Sequence, residues 1–257
     1  MDILIISLAA FLTAILTFFS GFGLGTILTP VFVIFFPIDL AIALTGLVHF
    51  FNNIFKLFLV GRDADKSILI RFGIPAIFAA FFGAWILLQI TDLQPLFSYQ
   101  LFNTAFEITP IKLIISLLLI LFALMDLIPL FERIRIEKRH MPFGGILSGF
   151  FGGLSGHQGA LRAAFLIKAG LTKEAFIGTS VVIGTLIDFS RLAVYSTRFL
   201  ESGLIDNLPL VAIATFSAIL GAFLGNKLLK KVTLKFLQQF IAILLILISI
   251  ALGAGWI

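Results

Sequence analysis

The chain has 257 residues, of which 60% are hydrophobic and 12% charged, with a formal net charge of +5 and no cysteine; its mean hydropathy is +1.17. Soluble domains carry roughly 25% charged residues, so this composition excludes a water-soluble enzyme and specifies an integral membrane protein. Without cysteine there is no disulfide, no thiolate nucleophile and no Cys-ligated metal, and the Lys and Arg surplus sits in short loops that set orientation in a bilayer rather than on a nucleic-acid surface.

Apolar runs are predicted at about 3–19, 26–36, 39–61, 68–90, 111–131, 142–152, 159–169, 174–195, 208–226 and 236–256. Most approach the ~20 residues needed to cross ~30 Å of hydrocarbon as helix, and no alternating strand pattern competes, so an all-α polytopic membrane protein is expected. The first run, MDILIISLAAFLTAILTFFS, opens on an acid without a basic leader and reads as a mature helix rather than a signal peptide. Two pairs, 3–36 and 142–169, contain glycine interruptions: SGFGLGTILTP at 20–30 and LSGHQGALRAA at 154–164. The pieces 26–36, 142–152 and 159–169 are too short to span, so each pair reads as a re-entrant or incompletely crossing broken-helix hairpin. The longest polar break, 91–110, is still studded with Leu and Phe and leaves no room for a soluble catalytic domain.

Loop charge sets the topology. Arg62, Lys66 and Arg71 form one basic cluster, Arg133, Arg135, Lys138 and Arg139 a second, and Lys227, Lys230, Lys231 and Lys235 a third, all expected in the cytoplasm. Counting crossings from these clusters puts 37–39, 91–110 and 196–207 outside, and both termini outside. Each half then holds a hairpin plus three crossings, an odd number, so residues 1–131 and 142–257 are expected to form inverted repeats joined by a basic cytoplasmic linker at 132–141. A gapless shift of 134 aligns Gly25 with Gly159, Ala41 with Ala175, Thr45 with Thr179, Phe55 with Phe189 and Val60 with Val194.

A helix that breaks inside a bilayer leaves N–H groups unpaired, and its N-terminus carries roughly +0.5 charge, which makes an anion site. Gly21, Gly23 and Gly25 precede a half-helix expected near Thr26; Gly156 and Gly159 precede one expected near Ala160. The competing reading is that these glycines serve close helix packing. The second break adds His157, Gln158 and Arg162. A cation at bilayer depth costs at least ~2.5–3.5 kcal/mol, so Arg162 either faces a cavity and holds an anion or snorkels to the interface. His157 and Gln158 can donate hydrogen bonds, and a histidine can couple anion movement to protons. The candidate substrate-binding set is Gly23, Gly25, Thr26, His157, Gln158, Gly159 and Arg162.

Helix 39–61 carries Thr45, His49, Asn52, Asn53 and Lys56 as a polar stripe, and helix 174–195 carries Thr179, Ser180, Gly184, Asp188 and Arg191. His49, Asn52, Asn53, Asp188 and Arg191 are candidates for polar lining or coupling. Asp188 and Arg191, one turn apart, can also simply neutralise each other, and Lys56 and Arg191, near predicted helix ends, can snorkel. No metal or cofactor is called for. No G-x-x-x-x-G-K-[ST] motif is present, so coupling would come from an ion or substrate gradient.

The paired motif, the two-half architecture and the length resemble the sulfite exporter TauE/SafE family of membrane transporters, also described as the toluene sulfonate uptake permease family. Its members typically show a G-x-G-G-G-like run followed by Pro in each half. Here the first half offers GFGLGTILTP, with Gly21, Gly23, Gly25 and Pro30 in matching positions; the second, GHQGALRAA, keeps Gly156 and Gly159 and has Ala164 where Pro would stand. The resemblance covers essentially the whole chain and implies a secondary transporter of small sulfur-containing anions, such as sulfite or organosulfonates, in the cytoplasmic membrane. The departure leaves the anion and the direction open. Alternatives are an anion channel with the same pore chemistry and a membrane-embedded lipid phosphatase in which Ser155 attacks and Arg162 holds phosphate. Oligomeric state is open, and a homo-oligomer is compatible with the sequence.

Overall fold

A computed structural model describes residues 2–18, 23–127, 138–199, 205–228 and 234–257. Gly21, the linker residues Arg133 and Arg135, and Lys230 and Lys231 lie outside these described residues. In chain order the helices are α1 (Asp2–Thr17), α2 (Gly25–Val33) and α3 (Ile38–Val60). A continuous helix α4 follows over Lys66–Thr91, with a π-helical turn at Leu69–Gly73, and then α5 (Pro110–Leu127). The second half supplies α6 (Met141–Ser155), α7 (Gly159–Ile167), α8 (Lys173–Phe199), α9 (Leu208–Leu228) and α10 (Leu234–Gly253).

Length divides these helices into two classes. The spans Ile38–Asp63, Lys66–Thr91, Lys173–Arg198 and Ile205–Asn226 are long and apolar enough to cross a membrane. By contrast α1 and α6, at 16 and 15 residues, reach only about 22–24 Å at 1.5 Å per residue, short of the ~30 Å hydrocarbon core. Each is followed by a helix of nine residues, α2 or α7. The outward surface is apolar, with Phe58 85%, Phe78 72%, Phe216 64% and Leu117 64% exposed, an arrangement that lipid rewards and water would not. The chain is a multi-pass membrane protein.

Two sequence expectations are corrected. The 91–110 break contains a β-hairpin, β1 (Phe97–Leu101) paired antiparallel with β2 (Thr104–Ile108). Its turn uses Phe102 and Asn103 at φ 51° and 62°, the twist that a two-residue hairpin loop requires. The strands hold because Tyr99 stacks on Phe106 across the pair, donates its hydroxyl to Ala254 O at 2.7 Å and accepts from Trp256 Nε1 at 2.9 Å. Contacts 155 residues away thus fix a strand pattern too short to register locally. Second, α8 continues to Phe199 rather than ending near 195, which moves Arg191 well inside the helix.

Neighbouring helices are drawn together by small residues. Helix α6 lies against α4, and α1 against α9. A Cβ added to Gly145, Gly149 or Gly153 would lie 2.2, 2.1 or 2.0 Å from the carbonyls of Phe72, Ala76 and Ala80 in turn, so at these positions α6 touches the α4 backbone itself. Gly221 of α9 meets Phe11 O in the same way at 2.2 Å. Helices α5 and α10 pair, and α3 and α8 pair along the centre of the bundle.

Candidate anion-binding site

The site forms where both broken hairpins reach the α3–α8 pair. Helix α6 ends on Gly156 at φ 79°, whose N–H donates to Gly152 O at 3.0 Å. The chain turns at His157 and Gln158 and restarts as α7 at Gly159. In the first half α2 starts at Gly25, with Thr26 N donating to Gly23 O at 3.1 Å. The two breaks meet: a Cβ on Gly25 would lie 3.1 Å from Gly156 O, and one on Gly156 would lie 3.0 Å from Arg191 Nη1. A methyl group at either glycine would have to push its neighbour back by a few tenths of an ångström.

Beside this junction lies Asp188, fully buried. His49 Nδ1–H donates to its Oδ2 at 2.5 Å, with Asn53 Nδ2 at 3.3 Å from the same oxygen. Gln158 Nε2 donates to Oδ1 at 3.1 Å, and Arg191 reaches Oδ1 through Nε at 3.1 Å and Nη2 at 2.9 Å. One carboxylate therefore ties α3, the second break and α8 together. A buried ion pair is costly to desolvate; here both carboxylate oxygens are engaged, while Arg191 Nη1 and Nη2 make no hydrogen bond. Arg191 is fully buried and does not snorkel.

Gln158 relays this centre to Arg162. Its Oε1 accepts from Arg162 Nη1 at 2.8 Å, while Arg162 Nε donates to Ser180 Oγ at 2.8 Å. Arg162 is 4% exposed, so it too stays inside the bundle. It lines a small pocket together with Lys56, His49, Asn53, Ser180 and Gly23. Lys56 is 5% exposed and its Nζ sits 5.4 Å from the centre of the Phe18 ring. Its helix end is near, yet it turns inward, because the α3 stripe runs His49, Asn53, Lys56 down a single face.

The candidate residues are distributed unevenly around this pocket. Gly23, His49, Asn53 and Arg162 lie in its wall. Gln158, Asp188 and Arg191 form the layer behind, and Gly25, Thr26 and Gly159 form the junction of the breaks. His157 turns away: its ring stacks on Phe122 at 6.1 Å and 8°, and Nδ1–H donates to Ser155 O at 2.8 Å. Asn52 is fully buried outside the wall, with neither amide atom hydrogen-bonded. Lys56 and Ser180 belong to the wall and were legible only as members of the two stripes.

The model of the sulfite exporter TauE/SafE family matches residues 6–252. The chain belongs to this family. TauE/SafE proteins are membrane transporters, not enzymes, and the geometry around Ser155 agrees. Ser155 Oγ donates to Phe151 O at 2.9 Å, and the His157 ring bonds the Ser155 carbonyl rather than this hydroxyl; a nucleophile would need a base on its oxygen. Comparison with curated proteins and with solved structures found no match.

Proposed function

We propose that this TauE/SafE protein is a secondary transporter of sulfite or a related small sulfur-containing oxyanion in the cytoplasmic membrane, with both termini outside, and that it binds its substrate in the pocket walled by Arg162 and Lys56. The observation that carries the reading is the placement of two buried cations in an open pocket beside the contact between the two helix breaks. An anion there exchanges its hydration shell for fixed charges and hydroxyl and amide donors.

The packing supports two inverted repeats, 1–131 and 142–257, about a basic linker at 132–141. Exchanging halves turns the α4–α6 contact into α9–α1 and the α8–α4 contact into α3–α9, while the α3–α8 and α5–α10 pairs map onto themselves. The pocket lies towards the bundle end that carries Arg62, Lys66, Lys168 and Lys173, the cytoplasmic end by the positive-inside rule. On its far side the Gly25–Gly156 contact, the Asp188–Arg191 pair, the Tyr195 hydroxyl on Gly153 O and the Arg198–Asp92 ion pair close the path. This is an inward-facing state, and rocking of the hairpins against α3 and α8 would open the other side. The His49–Asp188 hydrogen bond at the wall is the natural place for a coupled proton.

Reconstituted protein should take up labelled sulfite with saturable kinetics and accelerate in trans-loaded vesicles. Arg162→Gln, purified as a folded monodisperse species, should lose at least about tenfold in uptake, a change of ~1.4 kcal/mol in binding. Linear flux without trans-acceleration would mean a channel, and unaltered uptake by the variant would remove Arg162 from the site.

A further inference from the structure

We infer that His49 presents its Nε2 to the bound anion and shares one proton with it, so that sulfite or a related oxyanion occupies the pocket together with a single proton. This rests on the transporter reading above and deepens it, naming the atom that holds the coupled proton and the protonated form of the substrate.

The two nitrogens of the His49 ring stand in different surroundings. Its contacts to Asp188 and Asn53 both run through Nδ1, with Asp188 Oδ2 at 2.5 Å. The ionised carboxylate of Asp188 only accepts, so Nδ1 carries hydrogen whether the ring is neutral or charged. In the neutral ring Nε2 is then the nitrogen with the lone pair. Among the described residues no group hydrogen-bonds to Nε2, although His49 is only 2% exposed and stands in the pocket wall. The first break leaves this nitrogen uncovered: a Cβ on Gly23, also in the wall, would lie 3.0 Å from it.

Such a nitrogen meets an oxyanion in either of two ways. As a lone pair it accepts the O–H of hydrogen sulfite; as N–H it donates to an oxygen of sulfite. Both forms contain the same atoms and differ only in which end of one hydrogen bond the proton is on. The charged groups around the ring tie this proton to the anion. Lys56 of the same helix and Arg162 of α7 stand in the same wall, and Arg191 of α8 is ion-paired to Asp188. These cations repel a positive ring and Asp188 attracts one, and an anion seated against Nε2 adds to the attraction. Proton and anion therefore strengthen each other's binding by the same factor.

Titration calorimetry on the full chain in nanodiscs, in mildly alkaline buffers of unlike ionisation enthalpy, counts the protons taken up as sulfite binds. There free sulfite is a dianion and an imidazole is ordinarily neutral. The native protein should take up one proton per sulfite, and its affinity should fall about tenfold for each unit rise in pH. His49→Asn separates the two nitrogens, since its amide N–H can replace Nδ1–H towards Asp188 with nothing in the place of Nε2. Folded His49→Asn should bind sulfite more weakly and without proton uptake. Lys56→Arg, whose charge is fixed, should still take up one proton. Binding without proton uptake in the native protein, uptake that persists in His49→Asn, or uptake that is lost in Lys56→Arg overturns the inference and leaves the transporter reading standing. Absence of any sulfite binding overturns both.

Discussion

At Gly156 two requirements meet in one residue. The backbone sits at φ 79°, and the space a Cβ would take is bounded by Arg191 Nη1 at 3.0 Å and Thr29 Oγ1 at 3.5 Å. Gly170 has a similar backbone, φ 73°, but nothing within 4 Å of its Cβ position. Placing an L-residue in the left-handed region costs roughly 1–2 kcal/mol. Both Gly156→Ala and Gly170→Ala should therefore lower unfolding stability by about that amount, while only Gly156→Ala displaces Arg191 and impairs transport. Thermal unfolding beside sulfite uptake separates the two effects; wild-type uptake by Gly156→Ala would show that the contact between the breaks has no part in function. The break itself was legible, because glycines in an apolar run at membrane depth ask for an unwound backbone. Of the Asp188 centre the pairing with Arg191, one turn away, was legible; its links to His49 and Gln158, 139 and 30 residues away, were not, because no local pattern announces a carboxylate shared by three elements.

Helix boundaries were read closely from hydropathy, since α2 and α7 start one residue before and at the expected positions and α3 within one residue. The starts of α2 and α7 follow from the glycine breaks, whereas helix ends were read less well: α2 stops at Val33 rather than 36 and α8 runs on to Phe199. The hairpin of Phe97–Ile108 was missed because Tyr99 gains its partners only from the far end of the chain. Also unread was the Gly145, Gly149, Gly153 series, although its four-residue spacing is a helix-packing signal. With no side chain to intervene, α6 rests on the α4 carbonyls, and the hairpin that carries Arg162 is anchored by this seam. Gly149→Leu puts a branched side chain 2.1 Å from Ala76 O at its first atom, so α6 must move off α4. Overpacking of this kind typically costs 1–3 kcal/mol. The variant should unfold at lower temperature and lose sulfite uptake even though Gly149 does not line the pocket. Stability equal to wild type would show that the seam yields and does not position the second break.

Over the whole molecule, an inverted repeat makes a demand that no single helix does: corresponding helices must begin on opposite faces of the membrane. Helix α1 should start outside and α6 inside, so that the two hairpins enter from opposite sides and their glycine breaks meet in the middle. The apolar belt of Phe58, Phe78 and Phe216 suits contact with lipid, and in the proposed topology the basic ends at Arg62 and Lys173 would set the bundle's direction. Because the chain has no cysteine, any introduced one is the sole target of a membrane-impermeant thiol reagent. Cysteine at Asp2, at Phe102 in the hairpin turn and at Asp206, all exposed, should be labelled from the external side of intact cells. Cysteine at Asp63 or His140, also exposed, should be labelled only once the cytoplasmic side is opened. Labelling of Asp2 and His140 from the same side would rule out the inverted repeat. In that event the meeting of Gly25 and Gly156 could not arise from hairpins entering from opposite sides, and the pocket beside them would need another route of access.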